Sequence, residues 1–182
     1  MRITGGILKG RRIEVPDGLI RPSMDRMRES VFAVLGSLEG LSFLDLFSGS
    51  GAIALEAASR GAGRVEAVEM DPLKRRVLLK NVSLSPVRIH CRFLPVELYV
   101  KRAQKKFDII FLDPPFPYRY RWDLLRRIAS SPLVSNETKI LLHRPREDSQ
   151  KEQTALLDKT DTREYGRSVV DMFISRKKTP LP

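Results

Sequence analysis

Strands alternating with helices along most of a 182-residue chain predict a doubly wound α/β fold. Its sheet is read as mostly parallel and seven-stranded, with helices on both faces. Three observations carry this reading. Short runs of strand-forming residues recur, the most apolar at 107–112. Glycine or proline punctuates the passage between these runs and the helical stretches. The chain then closes on a hairpin pattern, which adds an antiparallel strand at one edge. A length of 182 residues suits one domain with a proper core and at most a small appendage.

The elements follow in order. Residues 1–20 read as a basic N-terminal extension built on a small β-hairpin, in which Gly5, Gly6 and Gly10 separate short β-prone pieces. Pro16-Asp17-Gly18 is a turn signal, and residues 21–182 form the main domain. A helix is expected from Ser23 to Gly36, with Met24, Met27, Val31, Val34 and Leu35 on one face and Asp25, Arg26 and Glu29 opposite. Residues 42–47 form a strand, 52–60 a helix closed by Gly61, and 64–69 a second strand. Asp71-Pro72 opens the next helix as an N-cap followed by proline at its first position. Val77, Leu78 and Val82 are its core positions. A third strand falls at 87–93, a helix at 95–105, a fourth strand at 107–112, a helix at 121–130 and a strand at 139–143. Residues 160–165 and 169–175 make the terminal hairpin around Gly166-Arg167.

Hydrophobic residues are 42% of the chain and charged residues 30%, an ordinary globular composition. No 18-residue apolar run and no signal-peptide pattern is visible, so no membrane association and a cytoplasmic location are expected. The single Cys91 cannot form an intrachain disulfide and has no zinc-ligand partners. The formal net charge is +11, which favours a polyanionic partner, with nucleic acid first. The positive residues cluster at Lys9, Arg11 and Arg12, at Arg21, Arg26 and Arg28, at Arg119, Arg121, Arg126 and Arg127, and at Arg176, Lys177 and Lys178.

Two stretches carry chemistry. The first strand runs into Asp45-Leu46-Phe47-Ser48-Gly49-Ser50-Gly51, where glycines let the backbone turn and approach a ligand at a helix N-terminus. Eighteen residues beyond Gly51, Glu69 ends the second strand, where a carboxylate can accept from both hydroxyls of a ribose. Gly49, Gly51 and Ala54 also satisfy the loose dinucleotide pattern. Taken alone, this stretch indicates a nucleoside-bearing cofactor without saying which, and a plain glycine-rich turn gives the same letters. The second stretch is Asp113-Pro114-Pro115-Phe116, which ends the fourth strand. An exocyclic amine of a base is a poor nucleophile because its lone pair is delocalised into the ring. The Asp113 carboxylate and the Pro114 carbonyl, gripping its two hydrogens, favour a tetrahedral nitrogen. The prolines fix φ and hold that carbonyl, and Phe116 can stack on a base drawn out of its helix. No catalytic dyad is read at His90 or His143, and Cys91 is read as packed.

Phe47-Ser48-Gly49-Ser50-Gly51, Glu69 and Asp113-Pro114-Pro115-Phe116 together resemble class I S-adenosylmethionine-dependent amino-methyltransferases with a Rossmann-like sheet. Arg2-Ile3-Thr4-Gly5-Gly6, Lys9-Gly10-Arg11, Arg21-Pro22-Ser23-Met24-Asp25-Arg26-Met27-Arg28-Glu29 and Leu55-Glu56-Ala57 narrow this to a resemblance to the bacterial 16S ribosomal RNA guanine-N2 methyltransferase family (RsmD-type), over nearly the whole chain. The resemblance implies methyl transfer from S-adenosylmethionine to the N2 amine of guanine 966 of 16S RNA by direct displacement, without a metal. The implied substrate is the small ribosomal subunit or a late assembly intermediate, and monomer is the default state. Carried over residue by residue, Asp45, Phe47, Ser48, Gly49, Ser50 and Gly51 hold the methionine part of the cofactor. Glu69 holds its ribose, Met70 packs on the adenine, and Ser23, Asp25 and Arg26 close over the pocket. Asp113, Pro114, Pro115 and Phe116 grip the target amine and base. Lys9, Arg11, Arg12, Arg21, Arg119 and Arg121 meet RNA. One departure stands out: Phe93 occupies the position where relatives place Asp or Asn toward the adenine amino group.

The residues leave rivals. Asp-Pro-Pro-Phe is shared with adenine-N6 methyltransferases acting on DNA or RNA. The glycine pattern alone permits a dinucleotide-dependent oxidoreductase, and the charge alone permits a non-catalytic RNA-binding module. The Pro117-Tyr118-Arg119-Tyr120-Arg121-Trp122 segment suits base stacking and phosphate contact, or simple packing.

Overall fold

Parallel pairing organises the chain in the computed structural model, which describes residues 1–15, 22–148 and 155–176, with the backbone alone for residues 22–24. The described elements are α1 (Pro22–Leu35), β1 (Ser42–Leu46), α2 (Ala52–Ser59), β2 (Arg64–Val68), α3 (Arg75–Val82), β3 (Ile89–Arg92), α4 (Val96–Arg102), β4 (Ile109–Leu112), α5 (Arg121–Ser130), β5 (Lys139–Pro145), β6 (Leu157–Tyr165) and β7 (Ser168–Ser175). A 3-10 turn, Pro72–Lys74, precedes α3, and the Asp71 side chain accepts from Leu73 N at 2.9 Å, as the Asp-Pro signal predicts. The Pro16-Asp17-Gly18 turn, Arg21, Lys177 and Lys178 lie outside the described residues.

The sheet has seven strands in the order β3-β2-β1-β4-β5-β7-β6. β3 to β5 are mutually parallel, while β7 runs antiparallel to both β5 and β6. This is the doubly wound sheet with an antiparallel hairpin at one edge that the sequence predicts. Each central strand feeds two cores, because successive side chains leave on opposite faces. In β4, Ile109 and Phe111 join α1, α2 and α3, while Ile110 and Leu112 join α4 and α5. A strand buried on both faces must be apolar throughout, which is why β4 reads as an unbroken hydrophobic run.

The N-terminal residues are tied to α2 rather than hanging free. An antiparallel bridge joins Arg2 and Arg12, and Ile3 and Ile13 enter the first core. Ile7 N donates to Ser59 O, Leu8 N to Ser59 Oγ, and Ser59 Oγ to Gly5 O. A Cβ on Gly6, which has φ +73°, would fall 1.8 Å from Ser59 O, so this close approach requires glycine. Glu56 completes the joint. It is fully buried and accepts from Thr4 N and Oγ1, from Arg60 Nε and from Arg28 Nε.

Two expectations for α1 need correction. Val34 is exposed, and Phe32 takes the core position against Phe43. Arg28, counted among the surface positive charges, is buried. Its guanidinium bonds Glu56, Asp25 and the Arg2 carbonyl, so it closes the α1–α2–N-terminal joint and offers nothing to a polyanion. A buried carboxylate that loses its partner is costly. Arg28→Ala is therefore expected to lower unfolding free energy by about 3–5 kcal/mol, as measured by urea denaturation.

Candidate active site

β1 lies between β2 and β4, so the point where the strand order reverses falls at the carboxyl ends of these three strands. Asp45, Glu69 and Asp113 are brought together there. Asp113 N donates to Leu46 O at 3.2 Å, and Ser48 N to Val68 O at 2.9 Å, which ties the three strand ends to one another.

The glycine-rich turn leaves β1 one residue earlier than predicted because Phe47 has φ 66°, a left-handed conformation that bulky residues rarely adopt. Gly49 and Gly51 follow at φ 56° and 77°, so three of five residues occupy positive φ. Several contacts hold this geometry. Ser48 Oγ donates to Asp45 O (2.8 Å), Gly51 N to Ser48 O (2.8 Å) and Gly49 N to Glu69 Oε2 (2.7 Å). Asp45 Oδ2 accepts from Ala54 N at 3.1 Å, standing in for the side-chain cap that Gly51 cannot give to α2. Asn81, which no motif signals, is buried and donates to Ser50 O and Glu14 O, fastening the loop to α3 and to the N-terminal segment.

The electrostatics at these strand ends oppose those of the whole chain. Burial, followed by the charges of Asp113 and Glu69, holds the Asp45 carboxyl well above the usual carboxylate range, against the lowering effect of the Ala54 N–H and Ser48. Asp45 Oδ1 is buried without a hydrogen-bond partner among the described residues. Glu69 is buried, and its two oxygens accept from Gly49 N and Asp71 N. Such a cluster suits a ligand that brings positive charge and hydroxyl donors. Met70, beside it, is 60% exposed and presents an apolar surface at its rim.

The second stretch sits across the switch point. Pro114 is buried, and its carbonyl takes no hydrogen bond among the described residues. The next two carbonyls are occupied, Pro115 O by Tyr118 N and Phe116 O by Arg121 Nη2 at 2.7 Å. Phe116 is 37% exposed, so its ring is accessible. Asp113 Oδ1 lies 2.6 Å from His143 Nδ1, a pairing absent from the sequence reading, which found no catalytic dyad at His143. No local pattern signals it, because the two residues are 30 positions apart and meet only through the β4–β5 register.

The remaining site residues divide. Asp25 is bound to Arg28 and Arg26 is exposed. No hydrogen bond or ion pair among the described residues joins either to the glycine loop, and the Ser23 side chain lies outside the described residues. Phe93 lies under the Arg75 guanidinium, 4.6 Å from ring centroid to Cζ. Lys9, Arg11, Arg12 and Arg119 are exposed and make no ion pair among the described residues. Arg121 is a correction. It is 3% exposed, pairs with Asp148 and holds the Phe116 carbonyl, so it positions the aromatic instead of meeting RNA. In the same segment Tyr118 packs edge-on to Phe47 and donates to Glu97, and Trp122 donates to Asp148, while Tyr120 is exposed.

The family described as Conserved hypothetical protein 95 matches residues 1–174. Ribosomal RNA small subunit methyltransferase D of Escherichia coli (strain K12) is 38% identical over 120 residues, which are 64% of this chain and 60% of that protein. YlbH of Bacillus subtilis (strain 168), named as a candidate rRNA methyltransferase, is 30% identical over 97% of this chain and 100% of its own length. The solved structure of yhhF from Escherichia coli, named as a candidate methyltransferase, superposes with a TM-score of 0.87 at 26% identity, covering 96% of this chain and 97% of that one. Among the described residues, no helix is long and apolar enough to cross a membrane.

The raised Asp45 carboxyl has a consequence for stability. The folded chain keeps a proton there that the unfolded chain loses above about 3.8, so stability falls as pH rises from that value through the raised native one. Asn preserves an acceptor for Ala54 N and carries no charge. Asp45→Asn is therefore expected to be more stable than the wild type at pH 8. The gap should close near pH 3 in urea titrations at the two pH values.

Proposed function

The chain belongs to the Conserved hypothetical protein 95 family, the RsmD-type methyltransferases, and on that premise we propose that it methylates the N2 amine of a guanine, position 966, in 16S ribosomal RNA. The observation that carries the reading is the meeting of two acceptors, Asp113 and the free Pro114 carbonyl, with an accessible Phe116 beside an acidic, glycine-lined pocket at the strand-order switch.

S-adenosylmethionine fits the residues of that pocket. Its cationic sulfonium and ammonium groups suit the convergence of Asp45, Glu69 and Asp113, and the unpartnered Asp45 Oδ1 offers an acceptor. The loop from Asp45 to Gly51 would hold its methionine part, Glu69 its ribose and Met70 its adenine. Bound there, it supplies an electrophilic methyl group for direct displacement. The chain's own residues do the rest. Phe116 stacks on the extruded base. Asp113 and the Pro114 carbonyl take the two amine hydrogens and turn the lone pair of the nitrogen outward. Asp113 is placed to receive the proton that the amine sheds. Most of the rate enhancement then comes from orientation and fixed charge.

The substrate is proposed to be the small ribosomal subunit or a late assembly intermediate, and the enzyme a cytoplasmic monomer. Residues 1–20 form its RNA-contacting extension. The exposed Lys9, Arg11 and Arg12 support that role, joined by Arg119 and Tyr120 near Phe116. An adenine-N6 activity uses the same Asp-Pro-Pro-Phe grip and is separated by product analysis.

Labelled methyl transfer from S-adenosylmethionine to small subunits lacking the modification is expected to yield N2-methylguanosine at one 16S site. N6-methyladenosine as the product would replace this reading with the adenine one. Asp113→Ala is expected to reduce turnover below detection while cofactor affinity, measured by calorimetry, changes less than about threefold. Replacing Lys9, Arg11 and Arg12 together with Ala is expected to weaken RNA binding and to reduce the slope of log affinity against log salt by about 2. An unchanged slope would move the RNA contact elsewhere.

A further inference from the structure

We infer that His143 is a positioning residue of this site, its ring holding Asp113 in the orientation that grips the amine and Phe116 in the orientation that stacks on the base. The inference rests on the reading of Asp113-Pro114-Pro115-Phe116 as the grip on the target base, and it adds a residue from a different strand that no motif includes.

His143 follows Leu142 in β5, and Leu142 pairs with Leu112, the residue before Asp113. Parallel register thus places the imidazole alongside the end of β4. Alternation puts His143 on the face of Leu141, in the first core with Phe111, and the ring is buried. Its Nδ1 lies 2.6 Å from Asp113 Oδ1. Its ring centroid lies 5.7 Å from that of Phe116, with the planes at 62°, an edge-to-face contact. One side chain therefore touches both the acceptor and the stacking ring.

The hydrogen bonding fixes the tautomer. An ionised Asp113 can only accept, so Nδ1 carries the hydrogen and donates it. Nε2 is buried and has no hydrogen-bond partner among the described residues. A second N–H there would be an unsatisfied buried donor, whereas a bare ring nitrogen costs less. The ring therefore presents one donor in one direction. With Oδ1 occupied, the free carboxylate oxygen, Oδ2, is left for the amine hydrogen, and rotation of the carboxylate is restrained. Asp113 needs such a hold because its side chain is only partly buried and has no other hydrogen-bonding partner among the described residues. The arrangement resembles the way a buried acid orients a catalytic histidine, with the two roles exchanged.

Two substitutions separate the two contacts. His143→Phe keeps an aromatic ring against Phe116 and removes the donor, whereas His143→Asn keeps an N–H near the Nδ1 position and removes the ring. In the methyl-transfer assay on unmodified small subunits, H143F is expected to lower kcat about tenfold to a hundredfold, the cost of a misplaced reacting group. Its KM for the particle and its cofactor affinity should stay within about threefold of wild type. H143N is expected to recover kcat to within about fivefold and to raise KM for the particle. A structural role alone would lower stability in both variants without this opposite split, so thermal melting is recorded alongside. Unchanged kcat in H143F overturns the proposal, provided D113A is inactive; if D113A also turns over normally, the reading of the site has failed instead.

A second readout needs no turnover and no variant that folds. The chain has two histidines, His90 and His143, so 15N imidazole spectra of the wild type are simple to assign. His143 is expected as a single Nδ1–H tautomer with a slowly exchanging proton. An averaged or Nε2–H tautomer would overturn the proposal.

Discussion

Parallel pairing of β1 with both β2 and β4 is the constraint on which the site depends. Because all three strands run the same way and β1 is central, their carboxyl ends arrive at one place, and whatever follows each strand is delivered there. The residues delivered are Asp45 and the strained glycine loop, Glu69, and Asp113 with its two prolines. No segment encodes the pocket alone. It arises from three short sequences separated by whole helices, which the register Asp45↔Ala67 and Asp45↔Phe111 brings level.

The arrangement works against stability. Three carboxyl groups share one end of the sheet, one of them fully buried with an unpartnered oxygen, and the turn beside them holds a phenylalanine at positive φ. In a chain of net charge +11, positive groups were available to neutralise that end, yet within hydrogen-bonding reach Asp113 has a histidine and Glu69 has backbone amides. Lys74 approaches Glu69 no closer than 3.9 Å. Crowded carboxyl groups and backbone strain at one place are a combination that clusters at functional sites, and they support the proposed reading of this end of the sheet.

Much of this was legible in the sequence, for identifiable reasons. The helix α5 falls at the predicted residues because its apolar face is regular, and β4 was plain because a strand buried on both faces has no polar positions. The glycine loop and Asp-Pro-Pro-Phe were legible because their backbone demands restrict the letters. What escaped depended on partners distant in the chain. Arg28 and Arg121 count as two positive charges in any composition, and only the fold reveals that Glu56 and Asp148 bury them. Val34 was placed on the core stripe of α1 and is exposed, because packing against Phe43 turns Phe32, which the sequence reading left unassigned, into the core instead. Asn81 and His143 carry no local signature, since their roles are set by what lies across a helix or a strand from them.

The helix α2 connects the two ends of the chemistry. Its first turn receives the Asp45 carboxylate through Ala54 N and follows directly from the glycine loop, while its last turns carry Glu56, Ser59 and Arg60, to which Thr4, Gly5, Ile7 and Leu8 are bonded. The exposed Lys9, Arg11 and Arg12 therefore ride on the helix that begins at the pocket. A basic arm on a flexible tether would supply attraction without register. Anchored through the buried Glu56, the arm is instead tied to the helix that starts at the glycine loop, so under the proposed RNA-contacting role its charges would be held in register with that loop. Among the described residues, the short helix α2 is thus the one element that bonds both to the carboxylate beneath the glycine loop and to the basic N-terminal segment.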